Sequence, residues 1–139
     1  FSKALLERAG GDPRIRFRGA FGRAELAAVL ATTAVLVVPS RWYENTPFVV
    51  LEAFAAGVPV IASDLGGLAE LVRDGVDGEL FAAGDVADLS ARLERLAAEP
   101  ERLRRYRSGI RPIETLDDNA AELDAIYVDE RARRAAART

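Results

Sequence analysis

Residues 34–63 read AVLVVPSRWYENTPFVVLEAFAAGVPVIAS, and the order of patterns in that stretch decides the fold. Ala34 to Val38 is an unbroken apolar, largely β-branched run closed by Pro39 and Ser40, the pattern of a buried parallel strand. Pro47 to Ala56 is apolar with helical length and is stopped by Gly57. Val58 to Ala62 is a second buried strand. Strand, helix and strand in that order make a parallel β/α unit, because parallel neighbours need a crossover.

The flanking sequence extends the alternation. Upstream, Leu5, Leu6 and Ala9 share one face of an opening helix, stopped at Gly10 and Gly11. Ile15, Phe17 and Gly19 alternate with arginines and predict a short strand with one wet face, and Glu25 to Thr33 predicts a helix turning Leu26, Val29 and Leu30 inward. Downstream, Leu68 to Arg73 starts a short helix, Asp74 to Gly78 is turn chemistry, and Glu79 to Phe81 is a brief strand. Asp85 reads as an N-cap before a stripe of Leu89, Leu93 and Leu96. Pro100 restarts a helix through Tyr106, and a last helix runs from Asn119 to about Arg134. The expectation is an α/β domain with an open, doubly wound parallel sheet of Rossmann type. It would fill the chain as a single unit, with its core at about 3–100 and C-terminal helices from about 100 to 134.

Composition removes several functions. The 139 residues carry a formal net charge of −3, which gives a phosphate-tracking surface no basis, so no nucleic-acid partner is expected. There is no Cys and no His, so thiolate and imidazole metal ligands are excluded, and catalysis would rest on carboxylates, hydroxyls, arginines or backbone groups. The longest apolar runs are interrupted at Thr33, Glu52 or Gly57 and fall short of the ~18 residues a membrane span needs, so the chain reads as soluble and cytoplasmic. It starts at Phe1, contains no Met and shows no signal peptide, which reads as a piece of a longer protein. Arginine in place of lysine, with abundant alanine, points to a GC-rich bacterial source.

In open α/β sheets ligands sit where strand carboxyl ends meet helix N-termini. The loop Pro39 to Pro47 is the longest of that kind here. Glu52 lies in a helix otherwise apolar all round, which predicts a buried carboxylate met either by an arginine or by a pair of ligand hydroxyls such as a ribose presents. Thr46 reads as the N-cap and Pro47 as the first helical residue. Val49 stands where a capping box would have Glu or Gln, leaving the amides of Phe48, Val49 and Val50 open to an anion such as a diphosphate. Glu44 adds a carboxylate just ahead of them. Trp42 and Tyr43 are read as closing the top of the core rather than stacking on a ligand. Arg131, Arg133, Arg134 and Arg138 are read as a solvated helix end, so membrane contact is not expected.

Glu44 to Glu52, a Glu–seven residues–Glu pair, runs on into Ala53-Phe-Ala-Ala-Gly-Val-Pro-Val-Ile-Ala-Ser63 and resembles the signature of family-4 glycosyltransferases. Phe17-Arg-Gly19, Val37-Val-Pro-Ser40, Gly66-Gly67 with Glu70, and Asp74-Gly75 with Gly78 extend the likeness over about residues 3–100. The resemblance implies a GT-B enzyme that transfers a hexosyl group from a nucleoside-diphosphate sugar with retention, needing no metal and no cofactor. Glu44 would be the catalytic residue, steadying positive charge at the anomeric centre. Glu52 would hold the ribose, the amides from Phe48 to Val50 the diphosphate and sugar hydroxyls, with Asn45 and Thr46 beside them. The loop around Gly19 and Phe21 would contact the base. Many members carry Gly where this chain has Pro47, which removes one amide contact to the sugar.

The same resemblance places an acceptor-binding N-terminal domain and a phosphate-clamping Arg and Lys outside this chain. The isolated chain is accordingly expected to be inactive or nearly so, and surface left open by their absence is expected to support a homodimer. Two other readings compete: a non-catalytic nucleotide-binding or assembly module, and a sugar-nucleotide epimerase, which the lack of His disfavours.

Overall fold

The computed structural model describes residues 2–136. The chain divides into two compact units, one through Thr33 and one from Ala34 onward.

The first unit holds α1 (Ser2–Ala9) and α2 (Arg23–Ala31), joined by a segment without regular structure. Leu30 is its buried anchor, while Ile15 and Phe17 lie about half exposed. The strand expected at Ile15 to Gly19 does not form: the one sheet among the described residues contains no partner for it. Alternation alone selects a face but supplies no hydrogen-bonding neighbour, and an unpaired strand has little to hold it.

The second unit is built on β1 (Leu36–Val38), β2 (Val60–Ser63) and β3 (Gly78–Phe81), parallel throughout and ordered β1-β2-β3. Leu36 pairs with Val60 and Val38 with Ala62; Val60 in turn pairs with Gly78 and Ser63 with Phe81. The central strand β2 is buried at all four positions, as its unbroken apolar sequence requires. β1 was expected to be fully buried but is half-buried, since among the described residues it has a partner strand on one edge only.

Crossovers α3 (Phe48–Ala55) and α4 (Gly67–Leu71) connect these strands and pack on β2, while α5 (Val86–Ala98) packs on β3. α3 turns Val50, Ala53 and Phe54 inward. Its end is a Schellman motif: Gly57 takes φ +69°, its N–H donates to Phe54 O at 2.9 Å, and Val58 N–H donates to Ala53 O at 2.8 Å. That left-handed residue turns the chain directly into β2. Asp85 caps α5 as expected, accepting from the amides of Ala87 (2.9 Å) and Asp88 (3.0 Å), an arrangement worth about 1 kcal/mol.

α6 (Pro100–Gly109) completes a core of Ile61, Phe81, Leu96 and Tyr106, flanked by Val35, Val37, Leu89 and Leu103. Glu79 reaches into this face with only 1% of its surface exposed. The Tyr106 hydroxyl donates to its Oε1 at 2.7 Å, and Arg92 stands 3.5 Å from Oε2. Burial raises the pKa of Tyr106 and keeps that hydroxyl protonated to donate. Tyr106→Phe keeps the ring but removes the donor, and is expected to lower stability by about 1–3 kcal/mol in urea denaturation. An unchanged midpoint would mean that Arg92, with Arg102 at 4.0 Å from Oε1, satisfies the carboxylate without the hydroxyl.

α7 (Leu116–Ala136) is exposed along its described length. Arg133 pairs with Asp129 and Arg134 with Glu130, each at 2.8 Å, as on a solvated helix end; Arg138 lies outside the described residues. No helix among the described residues is long and apolar enough to cross a membrane.

Candidate functional site: the loop from β1 to α3

The nine residues from Pro39 to Pro47 leave the carboxyl end of β1 and deliver the chain to α3. Two elements fix this loop. Inside it, Glu44 Oε1 accepts from Trp42 Nε1 at 2.7 Å and from Ser40 Oγ at 3.4 Å. Across from it, the Gly67 amide at the start of α4 donates to the Glu44 carbonyl at 2.9 Å. Gly67 has no room for a side chain: a Cβ there would overlap the Asn45 carbonyl oxygen. Gly66, at φ +52°, would bring a Cβ to 3.0 Å from the Tyr43 ring. Backbone meets backbone here, so Gly66-Gly67 set the position of Glu44 and Asn45 from outside the loop.

The residues singled out from the sequence fall as follows. Glu44 is half-buried, with its second oxygen Oε2 taking no hydrogen bond among the described residues. Asn45 and Thr46 are exposed beside it. Pro47, at φ −73° and ψ +99°, is the N-cap residue itself, so Thr46 is not the cap and no side chain caps α3. An extended ψ at Pro47 moves the helix start on by one residue. The amides of Phe48 and Val49 donate to nothing among the described residues, as expected; that of Val50 donates to Pro47 O at 2.9 Å and is not free.

Two expectations about this helix need correction. α3 is not buried all round: Phe48 is 74% exposed and Val49 38%. Its inward stripe is confined to Val50, Ala53 and Phe54, because only one side of the helix faces the sheet. Consequently Glu52 is half-buried, not enclosed, and no arginine meets it among the described residues. The enclosed carboxylates are Glu79 and Asp77 instead, the latter paired with Arg73 at 2.6 Å. Trp42 and Tyr43 do not close the core either, being 65% and 80% exposed, since the Trp42 indole is drawn outward to the Glu44 carboxylate.

Thr46 and Leu51 also line a cleft of about 620 Å³ whose other wall is Pro112, Ile113, Glu114, Thr115, Leu116 and Asn119. The Gly19 and Phe21 loop belongs to the first unit; Gly19 takes φ +73° and Phe21 is half exposed. The sequence reading missed Ser40 and Trp42 as partners of Glu44. One signal was available: Ser40 and Trp42 stand four and two residues before Glu44, close enough in sequence for a bent loop to bring the three together.

A parallel sheet joined by helical crossovers, with an acid-bearing loop at a strand's carboxyl end, places the chain among the open-sheet α/β domains of Rossmann type. Within that class the chain belongs to the group 1 glycosyl transferases, whose family model matches residues 2–99. It is 43% identical over 105 residues to the D-inositol 3-phosphate glycosyltransferase of Streptomyces bingchenggensis, covering 76% of this chain and 23% of that protein. The sucrose-phosphate synthase structure from Thermosynechococcus elongatus superimposes with a TM-score of 0.77 at 30% identity, over 95% of this chain and 34% of that one. Anabaena Alr3699/HepE, solved in complex with UDP-glucose, gives 0.72 at 25% identity, over 79% of this chain and 30% of that one. The fold is that of GT-B enzymes, and this chain spans a quarter to a third of their length.

Proposed function

We propose that this chain is part of the donor-binding domain of a retaining glycosyltransferase that moves a hexosyl group from a nucleoside-diphosphate sugar to an acceptor held by another part of the same protein. The observation that carries the reading is the combination at one loop: a carboxylate held through both its backbone and one side-chain oxygen, and, four residues on, two consecutive amides that find no partner among the described residues. A diphosphate is the ligand those amides suit, at the positive end of α3. The free oxygen of Glu44 is the group to oppose positive charge as the glycosidic bond loosens. Glu52, half-buried and without a side-chain partner among the described residues, is placed to accept two ribose hydroxyls, and Asn45 and Thr46 complete the donor contacts. HepE's complex with UDP-glucose supports the donor class. Retention and independence from metal rest on the family likeness of Glu44 to Ser63, and Gly19 and Phe21 are assigned to the base on the same ground.

The role of Glu52 has a direct test. Glu52→Gln in the full-length protein is expected to weaken UDP-glucose binding about tenfold or more in calorimetric titration, because it replaces a charged acceptor of two hydroxyls. Unchanged affinity would remove Glu52 from the site and leave Glu44 to be judged on its own.

A further inference from the structure

We infer that Trp42 is a positioning residue for Glu44: its indole N–H fixes one carboxylate oxygen so that the other is presented to the donor sugar. The inference rests on the reading of Glu44 proposed above. Trp42 keeps 65% of its surface in solvent, so core packing does not account for so large an apolar side chain at this position. Its polar atom, in contrast, is fully engaged, donating to Glu44 Oε1 at 2.7 Å in a charge-assisted bond.

Three side chains on one side of the loop converge. Ser40 is buried and donates to the same Oε1 at 3.4 Å, a long and therefore weaker contact. The Gly67 amide holds the Glu44 carbonyl at 2.9 Å. Backbone and Oε1 are thus both committed, while Oε2 takes no hydrogen bond among the described residues. A carboxylate on a flexible Glu side chain has three rotatable bonds, and the indole removes most of that freedom before any donor arrives. Misplacing a reacting group by about 1 Å can cost about 100-fold in rate, which makes such a constraint consequential.

Two measurements on the full-length protein decide the inference. The first reads the bond itself by NMR. The Trp42 indole N–H is expected to exchange with solvent at least tenfold more slowly in the wild type than in Glu44→Ala, despite the exposed ring. Equal exchange rates overturn the inference, whatever the donor. The second compares UDP release from UDP-glucose. Trp42→Phe keeps an aromatic side chain but removes the five-membered ring that carries the N–H; kcat is expected to fall about tenfold with KM held within twofold. Ser40→Ala is expected to cost less.

A Trp42→Phe variant with unaltered kcat, or one that raises KM alone, overturns the positioning role while leaving the proposed function standing. If Glu44→Ala itself releases UDP at the wild-type rate, the proposed function fails and the inference with it. Should Trp42→Phe fold poorly in thermal melting, the exchange measurement remains decisive, because it uses the native tryptophan.

Discussion

Glu44→Gln in the full-length protein is expected to lower kcat about 100- to 1,000-fold while changing donor affinity only a few-fold. Glutamine preserves the shape of the side chain and can still accept from Trp42 Nε1, so the loop should hold its form. What it lacks is the negative charge. A single preorganised electrostatic contact to developing charge is worth about 3–4 kcal/mol when the surroundings do not need to reorganise, and that sets the size of the effect. Rapid-quench or steady-state measurement of UDP release under saturating donor separates the two parameters. A large rise in KM at constant kcat would show that Glu44 binds the ground state and does not steady the transition state.

Gly67→Ala is expected to damage the same site from outside it. The added methyl would occupy the place of the Asn45 carbonyl oxygen and press on the Glu44 carbonyl as well. Both obstacles are main-chain atoms, so no side-chain rotation relieves them. Either the loop moves away, carrying Glu44 and Asn45 out of register with the Phe48 and Val49 amides, or α4 shifts and breaks the 2.9 Å bond from Gly67 N–H to Glu44 O. Overpacking of this kind costs about 1–3 kcal/mol of stability. We expect a lower melting temperature together with at least a tenfold loss of kcat/KM for the donor. Full activity at a reduced melting temperature would show that the loop is not set by the glycine pair.

The fold of the second unit was legible because its central strand is apolar up to Ser63 and is buried accordingly. Val58 to Ala62 has no polar residue to offer solvent, and Gly57 can take the positive φ that ends α3. Asp85 was equally plain, since capping is local. The strand expected at Ile15 to Gly19 failed for the opposite reason: its pattern was right, but a strand is completed by a neighbour that its own residues do not encode. Glu52 shows the limit of helical periodicity. An apolar circumference predicts burial only where there is protein on every side, and α3 meets the sheet along one stripe. Glu79 was the carboxylate to single out, alone in a short strand beside Phe81, yet its donor Tyr106 is 27 residues away and nothing local joins them. The link from Trp42 to Glu44 was within reach of sequence reasoning. It was lost by treating the aromatic ring as the informative part of tryptophan, when the informative part was its N–H.

The central claim is that the donor's diphosphate sits at the two uncapped amides that follow Pro47. Titrating the isotopically labelled full-length protein with UDP-glucose, while following the backbone amide resonances of Phe48 and Val49, tests it directly. The account predicts that these two move among the largest shifts in the spectrum and saturate with the donor, while Val50, already bonded to Pro47, moves less. Saturable binding that leaves Phe48 and Val49 where they were, with the main changes around Pro39, Phe81 and Leu89 instead, would place the donor elsewhere and contradict it.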